Sequence, residues 1–472
     1  MLIIITKEES EKWLDYNVLS FPEIECTDVE DLTSYYNPNL DNTVYSSTMI
    51  AEFQRILKIK LKNSGNVAIT NAINSLSNRE DIDYVGPNYS LKTKILEKND
   101  LNLCDITRSQ SIDQWGNDTI NLDEANQYIG NYTKNNVLVG VIDKGVEEHI
   151  DIKYRISEYS HDCSSNNNGQ EIYDGDPLID DGGGHGTMIS GIISGLNING
   201  TGISGINSNA YIVSLKQNSQ RNLSNNSITN VDSLIRAISY AGSNHIRVIN
   251  ISFGYPVNDQ SLKVAVRNYP GLVVCAAGNE GSNLDINKLY PQCYDLENII
   301  TVGALSETLT YCGFSNYGST EVDIYAPGEN IWSTSLNDTY FCDDGTSYAA
   351  PFVAGVAALI ISIEQNTDYG FFNAKFIKQI IINSATLVAS LSSKCVSGGY
   401  LNAEREILEA FNYYTSYEPT GLVYHKVIPK YAYSYLEEHE WSFLVNNHGI
   451  VCMSKPPLVG SFCVKCGTSK VW

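Results

Sequence analysis

A Gly-Thr-Ser turn feeding an Ala-rich apolar helix narrows the architectures open to this chain more than any other passage. It reads Asp344-Gly345-Thr346-Ser347-Tyr348-Ala349-Ala350-Pro351 and opens the run Phe352-Val353-Ala354-Gly355-Val356-Ala357-Ala358-Leu359-Ile360. The turn sets a serine hydroxyl at a helix N-terminus. There the orphan backbone N–H groups and the positive end of the macrodipole favour negative charge, which suits a nucleophile whose reaction passes through an oxyanion. Taken alone, such a serine is an N-cap. As a nucleophile it is weak, and it needs a base that is itself held by an acid.

The run Val137-Leu138-Val139-Gly140-Val141-Ile142 reads as a buried, largely β-branched strand ending in Asp143. Gly182-Gly183-Gly184-His185-Gly186-Thr187 leads into Met188-Ile189-Ser190-Gly191-Ile192-Ile193, a second Gly-rich turn feeding a helix. Singly, an Asp at a strand end is a turn or cap residue, and a Gly-flanked His is a solvated loop residue. Jointly, Asp143, His185 and Ser347 offer orienting acid, base and nucleophile, each at a strand end or helix start. Strand and helix patterns alternate through this region, the sign of a mostly parallel sheet flanked by helices, an α/β fold with chemistry at the C-terminal ends of its strands.

With its triad in the order Asp…His…Ser, the sequence resembles the subtilisin-like (subtilase) serine peptidase family over roughly residues 112–412. Val273-Val274-Cys275-Ala276-Ala277-Gly278-Asn279-Glu280-Gly281 is similar to the family segment whose asparagine completes the oxyanion hole, which implies that role for Asn279. Val248-Ile249-Asn250-Ile251-Ser252-Phe253-Gly254 resembles the strand that lines the substrate cleft, so the resemblance implies substrate contacts for Ser252, Phe253, Gly254 and Glu280. Phe314-Ser315-Asn316-Tyr317-Gly318 and Asp323-Ile324-Tyr325-Ala326-Pro327-Gly328 match the region before the serine. The implied activity is endopeptidase cleavage through an acyl-enzyme, in a chain made as a self-processing zymogen. The runner-up is a regulatory or binding protein on the same fold. Departures from the family pattern are Tyr348 in place of methionine, Phe352 and Met188 in place of histidines, and Tyr255 in place of a second glycine. They bear on substrate preference rather than on the triad.

Composition sets outer bounds. The chain has 472 residues, enough for two or three domains, and an apolar fraction of 43%, ordinary for a globular protein. A net charge of −23 disfavours nucleic acid and anionic membrane surfaces as partners. Glu280, Asp343 and Asp344 put three carboxylates near the expected cleft, either a preference for basic residues in some subsites or a plain solvated rim. The N-terminus lacks a basic n-region and reads as a strand, and no stretch of about 18 apolar residues is present. Eleven cysteines in no compact framework make reduced thiols in the cytoplasm the default, with non-classical export open. Cys275 reads as a small core residue, and Cys342 lies close enough to Ser347 for a bulky thiol reagent to interfere.

Three segments follow. Residues 1–103 read as a propeptide-like inhibitor and folding domain plus linker, with Leu57-Lys58-Ile59-Lys60-Leu61 alternating as a strand and Asp83-Tyr84-Val85-Gly86-Pro87-Asn88-Tyr89 similar to the closing strand of subtilase propeptides. An unrelated α+β accessory domain is the alternative. The polar stretch 91–110 is where processing is expected. Residues 104–412 form the catalytic domain and 413–472 an aromatic- and Cys-containing extension of unknown role. Leu196-Asn197-Ile198-Asn199-Gly200-Thr201-Gly202 resembles a family calcium loop, with Asn197 and Asn199 as candidate ligands; a plain Asn/Gly turn is the equal alternative. Cys463-Val464-Lys465-Cys466 with Cys452, His439 and His448 has zinc-type donors, but the second pair is incomplete, so a small β-rich appendage with free or linked thiols is preferred.

Overall fold

The computed structural model describes residues 1–6, 17–33, 54–63, 65–88, 90–92, 112–130, 135–164, 176–180, 183–197, 202–217, 228–364, 372–415, 423–426, 442–446 and 449–454. Near the N-terminus β1 (Leu2–Thr6), β2 (Cys26–Asp31), β3 (Ile56–Leu61) and β4 (Ile82–Pro87) form an antiparallel sheet in the order β2-β3-β1-β4. Helix α1 (Asn66–Leu76) covers one face. A short strand β5 (Ser90–Lys92) follows.

The larger unit is built on nine strands: β6 (Val137–Asp143), β7 (His161–Asp162), β8 (Ala210–Lys216), β10 (Val248–Ile251), β11 (Leu272–Ala276), β12 (Ile299–Leu305), β13 (Ile324–Pro327), β16 (Thr386–Leu387) and β17 (Gly399–Tyr400). Their spatial order is 16-17-13-12-11-10-6-8-7. Every neighbouring pair is parallel except β16–β17. Between β8 and β10 lies β9 (Ile228–Asn230), and a hairpin of β14 (Ile331–Thr334) and β15 (Tyr340–Asp343) stands before the Gly-Thr-Ser turn. Helices α2 (Trp115–Thr119), α3 (Leu122–Ile129), α4 (His185–Ser194), α7 (Thr346–Ser362), α8 (Ala374–Asn383) and α9 (Ala403–Thr415) pack on one face; α5 (Val231–Ser243) and α6 (Gln260–Asn268) pack on the other. Parallel strands covered on both faces read as continuous apolar runs, and β10, β11 and β12 are buried at every position.

Helix α7 is the middle of this architecture. Every residue in it except Ser347 is buried. Pro351, inside the helix, cannot donate to the carbonyl four residues earlier, which is that of Ser347. The Ser252 hydroxyl donates to that carbonyl instead (3.0 Å), and Asn250 Nδ2 donates to Ser252 Oγ (2.8 Å). The end of β10 is thereby tied to the start of α7.

Residues 374–387 hold two elements: α8 stops at Asn383 and Thr386 begins β16. The boundary drawn at 412/413 falls inside α9. Beyond it, β18 (Val423–Lys426), β19 (Ser442–Asn446) and β20 (Gly449–Ser454) form an antiparallel sheet. Cys463, Cys466, His439 and His448 lie outside the described residues.

The N-terminal sheet shares a core with the larger unit. Leu2 and Ile4 of β1 pack with Leu57, Ala72 and Leu76, while the alternate residues Ile3 and Ile5 join Leu234, Ile238 and Val266 of α5 and α6. This overturns the solvated position that strand alternation suggests for Lys58, which is 5% exposed. Its ammonium meets Asp232 Oδ2 at 3.0 Å and Glu30 Oε2 at 2.5 Å. Arg236, one turn along α5 from Asp232, meets Glu30 at 3.0 Å and Asp232 at 3.2 Å, and Asn88 Nδ2 donates to Asp232 Oδ1 (3.0 Å). Burial alone would raise the Asp232 carboxyl; Lys58 and Arg236 outweigh it and hold it below the usual range.

Removing Asp232 takes away the fully buried carboxylate of the two that Lys58 and Arg236 share, leaving Glu30 to both. Asp232→Ala is expected to destabilise the uncut chain by about 3–5 kcal/mol, read from chemical denaturation. Lys62→Ala, which breaks an exposed 3.8 Å contact with Glu25, is expected to change it by less than about 1 kcal/mol.

Candidate active site

Three elements deliver three side chains to one edge of the sheet. β6 ends in Asp143, which is 3% exposed, because the strand runs out of apolar residues where the sheet's C-terminal edge meets the loops. α4 begins at His185, and α7 presents Ser347 as its one unburied residue. His185 Nδ1 lies 2.8 Å from Asp143 Oδ2, and Asp143 Oδ1 accepts from the Lys144 N–H (2.8 Å). A ring nitrogen facing a carboxylate carries the proton, which leaves Nε2 with its lone pair free to act as a base.

Electrostatics reinforce that tautomer. Burial would lower the His185 imidazole, but the Asp143 charge and hydrogen bond outweigh it, with a smaller contribution from Asp180, so His185 is more basic than an ordinary histidine. Burial likewise would raise Asp143, and the facing imidazole holds it below the usual carboxylate range. Asp180 accepts from both the N–H (3.0 Å) and hydroxyl (2.8 Å) of Thr187 in the first turn of α4. It was not singled out in the sequence because nothing about its neighbours marks it.

The Ser347 hydroxyl donates to the Ser252 carbonyl (3.0 Å), and among the described residues it makes no hydrogen bond to His185. Asn279 faces the same turn. Its Oδ1 accepts from the Thr346 N–H (2.9 Å) and the Thr346 hydroxyl (2.8 Å), and that hydroxyl accepts from the Gly278 N–H (3.0 Å). With its oxygen accepting from two donors, the amide orientation is fixed and Nδ2 is left as the donor end. Thr346 is thus the residue that orients Asn279. Its only sequence signal is that it precedes the serine.

Tyr348 packs its ring against the His185 imidazole at 5.8 Å between centroids and donates its hydroxyl to Asp343 Oδ2 (2.8 Å). Burial, then Asp343, keeps that phenol protonated far above its ordinary range. Asp343 and Asp344 are therefore engaged within the turn: Asp344 N–H donates to Asp343 Oδ1, and Asn330 N–H donates to Asp344 Oδ1 (both 2.8 Å). Glu280 is exposed, yet its Oε2 accepts from Asn316 Nδ2 (2.7 Å). Ser252 and Phe253 are buried and Gly254 half-buried, just beyond the end of β10. Cys275 is buried, and burial pushes its thiol well up. Cys342 is half-buried in β15.

Asn197 is exposed, and Asn199 lies outside the described residues. The Asp151 carboxylate faces this loop, but its Oδ2 already accepts from the Tyr340 hydroxyl (2.7 Å) and the Ile203 N–H (3.2 Å). Calcium takes six to eight oxygens, and the described residues here do not make that set; no group of three or more His, Cys, Asp or Glu among them would hold a metal.

A family pattern described as "Subtilase family" matches residues 134–406. The chain is 34% identical over 260 residues to subtilisin DY of Bacillus licheniformis, covering 54% of this chain and 85% of that protein. It is 33% identical over 275 residues to subtilisin Savinase of Lederbergia lenta, covering 58% and 91%. It is 30% identical over 292 residues to subtilisin-like protease 2 of Plasmodium falciparum, covering 60% of this chain but only 21% of that protein.

The ion pair sets a pH window. Asp143, depressed, contributes stability above its ordinary value of about 3.9 and loses it as pH falls through its folded value; His185, raised, contributes fully below about 6.5 and loses it as pH rises through its folded value. Their joint contribution is greatest between about pH 3.9 and 6.5. Imidazole NMR titration is expected to give His185 a midpoint above about 6.5, moved downward by Asp143→Asn and by less in Asp180→Asn.

Proposed function

Because the chain belongs to the subtilase family, we propose that it is a serine endopeptidase working through Asp143, His185, Ser347 and Asn279. The observation that carries this is the 2.8 Å pair of buried Asp143 and half-buried His185, on the same edge as a serine that is the one unburied residue of α7. In the proposed reaction the Ser347 hydroxyl leaves the Ser252 carbonyl and attacks the scissile carbonyl carbon as its proton passes to His185 Nε2. The carbonyl oxygen, now an oxyanion, takes hydrogen bonds from Asn279 Nδ2 and the Ser347 N–H. His185 then gives the proton to the leaving amine, and water repeats the sequence on the acyl-enzyme. Asp143 holds the imidazolium in place throughout.

The N-terminal unit acts as an intramolecular inhibitor on this reading. β5 pairs antiparallel with β9, Leu91 opposite Thr229. β9 lies in the crossover from β8 to α5, and in a parallel sheet such connections leave from the C-terminal edge, where Asp143 also sits. An extended segment of the chain's own N-terminal part thus runs along the catalytic edge. Self-cleavage in the stretch 91–110 would separate the two units covalently. The Lys58–Asp232–Arg236 cluster supports their continued association afterwards.

A fluorophosphonate probe is expected to label Ser347 in the purified protein, and Ser347→Ala to lose labelling, peptide cleavage and self-cleavage together; full activity in that variant would refute the assignment. Asn279→Ala is expected to lower kcat by about 100–1000-fold, the magnitude found for the equivalent donor in a subtilisin, with KM little changed.

A further inference from the structure

We propose that Gln292 and Leu289 fill the pocket that receives the side chain preceding the scissile bond, so that the enzyme cuts after glycine, alanine or serine and rejects large apolar residues. This rests on the peptidase reading above and adds the substrate class to it. A carbonyl held between Ser347 Oγ and Asn279 Nδ2 fixes where its residue lies. The end of β10 touches the nucleophile through Ser252, and the end of β11 touches the same turn through Gly278 and Thr346. The side chain on the acyl side of the bond must enter the crevice between these two strand ends.

Gln292 crosses that crevice. It is 3% exposed, and its Nε2 donates to the Phe253 carbonyl (3.1 Å) on one wall and the Ala276 carbonyl (2.8 Å) on the other. Both partners are acceptors, so the amide orientation is fixed. Its Oε1 has no hydrogen-bond partner and is buried. An unpaired buried acceptor is unfavourable, and the two wall-to-wall bonds are what hold it there.

Two glycines show how the space is used. A β-carbon on Gly254 would sit 2.6 Å from Gln292 Oε1, and one on Gly278 would sit 3.1 Å from Leu289 Cδ1 and 2.8 Å from Glu280 Oε2. The room left at Gly254 is taken by Gln292, and that at Gly278 is shared by Asn316, Glu280 and Leu289. That loop is anchored: the Tyr290 and Tyr255 backbones exchange hydrogen bonds (2.7 and 2.9 Å), the Cys293 N–H donates to the Leu289 carbonyl (2.9 Å), and the Thr301 hydroxyl donates to the Gln292 carbonyl (3.0 Å). A large side chain would have to break the Gln292 bridge to enter.

The test uses the full chain after self-processing and peptides differing only in the residue before the scissile bond. For alanine and serine kcat/KM is expected to exceed that for leucine and phenylalanine by on the order of 100-fold. Gln292→Gly is expected to raise the phenylalanine-to-alanine ratio by about 10-fold or more, and Leu289→Gly to act in the same direction. Gln292→Ala stands in if the glycine variant does not fold, which fluorophosphonate labelling of Ser347 reports independently of the pocket. Cleavage after phenylalanine as fast as after alanine, or an unchanged ranking in a labelled Gln292 variant, would overturn the pocket alone. Failure of the self-processed wild-type protein to label, at a dilution where its N-terminal unit is released, would overturn the peptidase reading and the pocket with it.

Discussion

The arrangement of Asp143, His185 and Ser347 depends on the burial of one helix. α7 lies across a sheet covered on both faces and is enclosed at every position but Ser347. A helix apolar all round has no surface stripe and must occupy the middle of a large core. Its first turn is consequently fixed relative to β6, β10 and β11, whose ends carry Asp143, Ser252 and the segment of Asn279. Pro351 couples the two requirements. It leaves the Ser347 carbonyl without a helical donor, and the Ser252 hydroxyl that fills the vacancy locks the helix start to β10. The position of Ser347 is thus a consequence of packing, and the proposed chemistry uses what packing supplies.

The polar groups around Asp143, His185 and Ser347 divide between those the proposed reaction uses and those that support them. Asp143 and His185 form a pair in which each partner outweighs the other's desolvation. Thr346 and Asp180 act one step away: one aims the Asn279 amide, and the other ties down the first turn of α4. Tyr348 supplies a rigid aromatic wall for the imidazole, with its hydroxyl held by Asp343. Carboxylates that look like an acidic cleft rim in the sequence are instead largely consumed in turns. Their charges still act on the site, but their geometry is spoken for.

Much of the fold was legible because its signals are local. β6 and α4 announce themselves as apolar runs that stop at Asp143 and start at His185, and the Gly-Thr-Ser turn marks Ser347 the same way. The rest is long-range. Lys58 lies in an alternating strand and pairs with Asp232, 174 residues later; alternation cannot report that both faces of a sheet are covered. Gln292 looks like a loop residue until the walls it bridges, Phe253 and Ala276, are brought together. The break between α8 and β16 is not legible either, because an apolar segment of a few residues carries too little periodicity to show where a helix ends.

The shared core of β1 with α5 and α6 changes meaning if the chain is cut between its two units. While the backbone is continuous, the docked sheet sees its site at an effective concentration on the order of millimolar. After a cut the same contacts become a bimolecular equilibrium, and the fraction of docked pairs falls as the protein is diluted. Ile3 and Ile5 on one side, and Leu234, Ile238 and Val266 on the other, would then face water. The apolar surface exposed by release opposes release, so on the proposed inhibitor reading crowding of the protein in its own compartment would keep the two units together and restrain proteolysis.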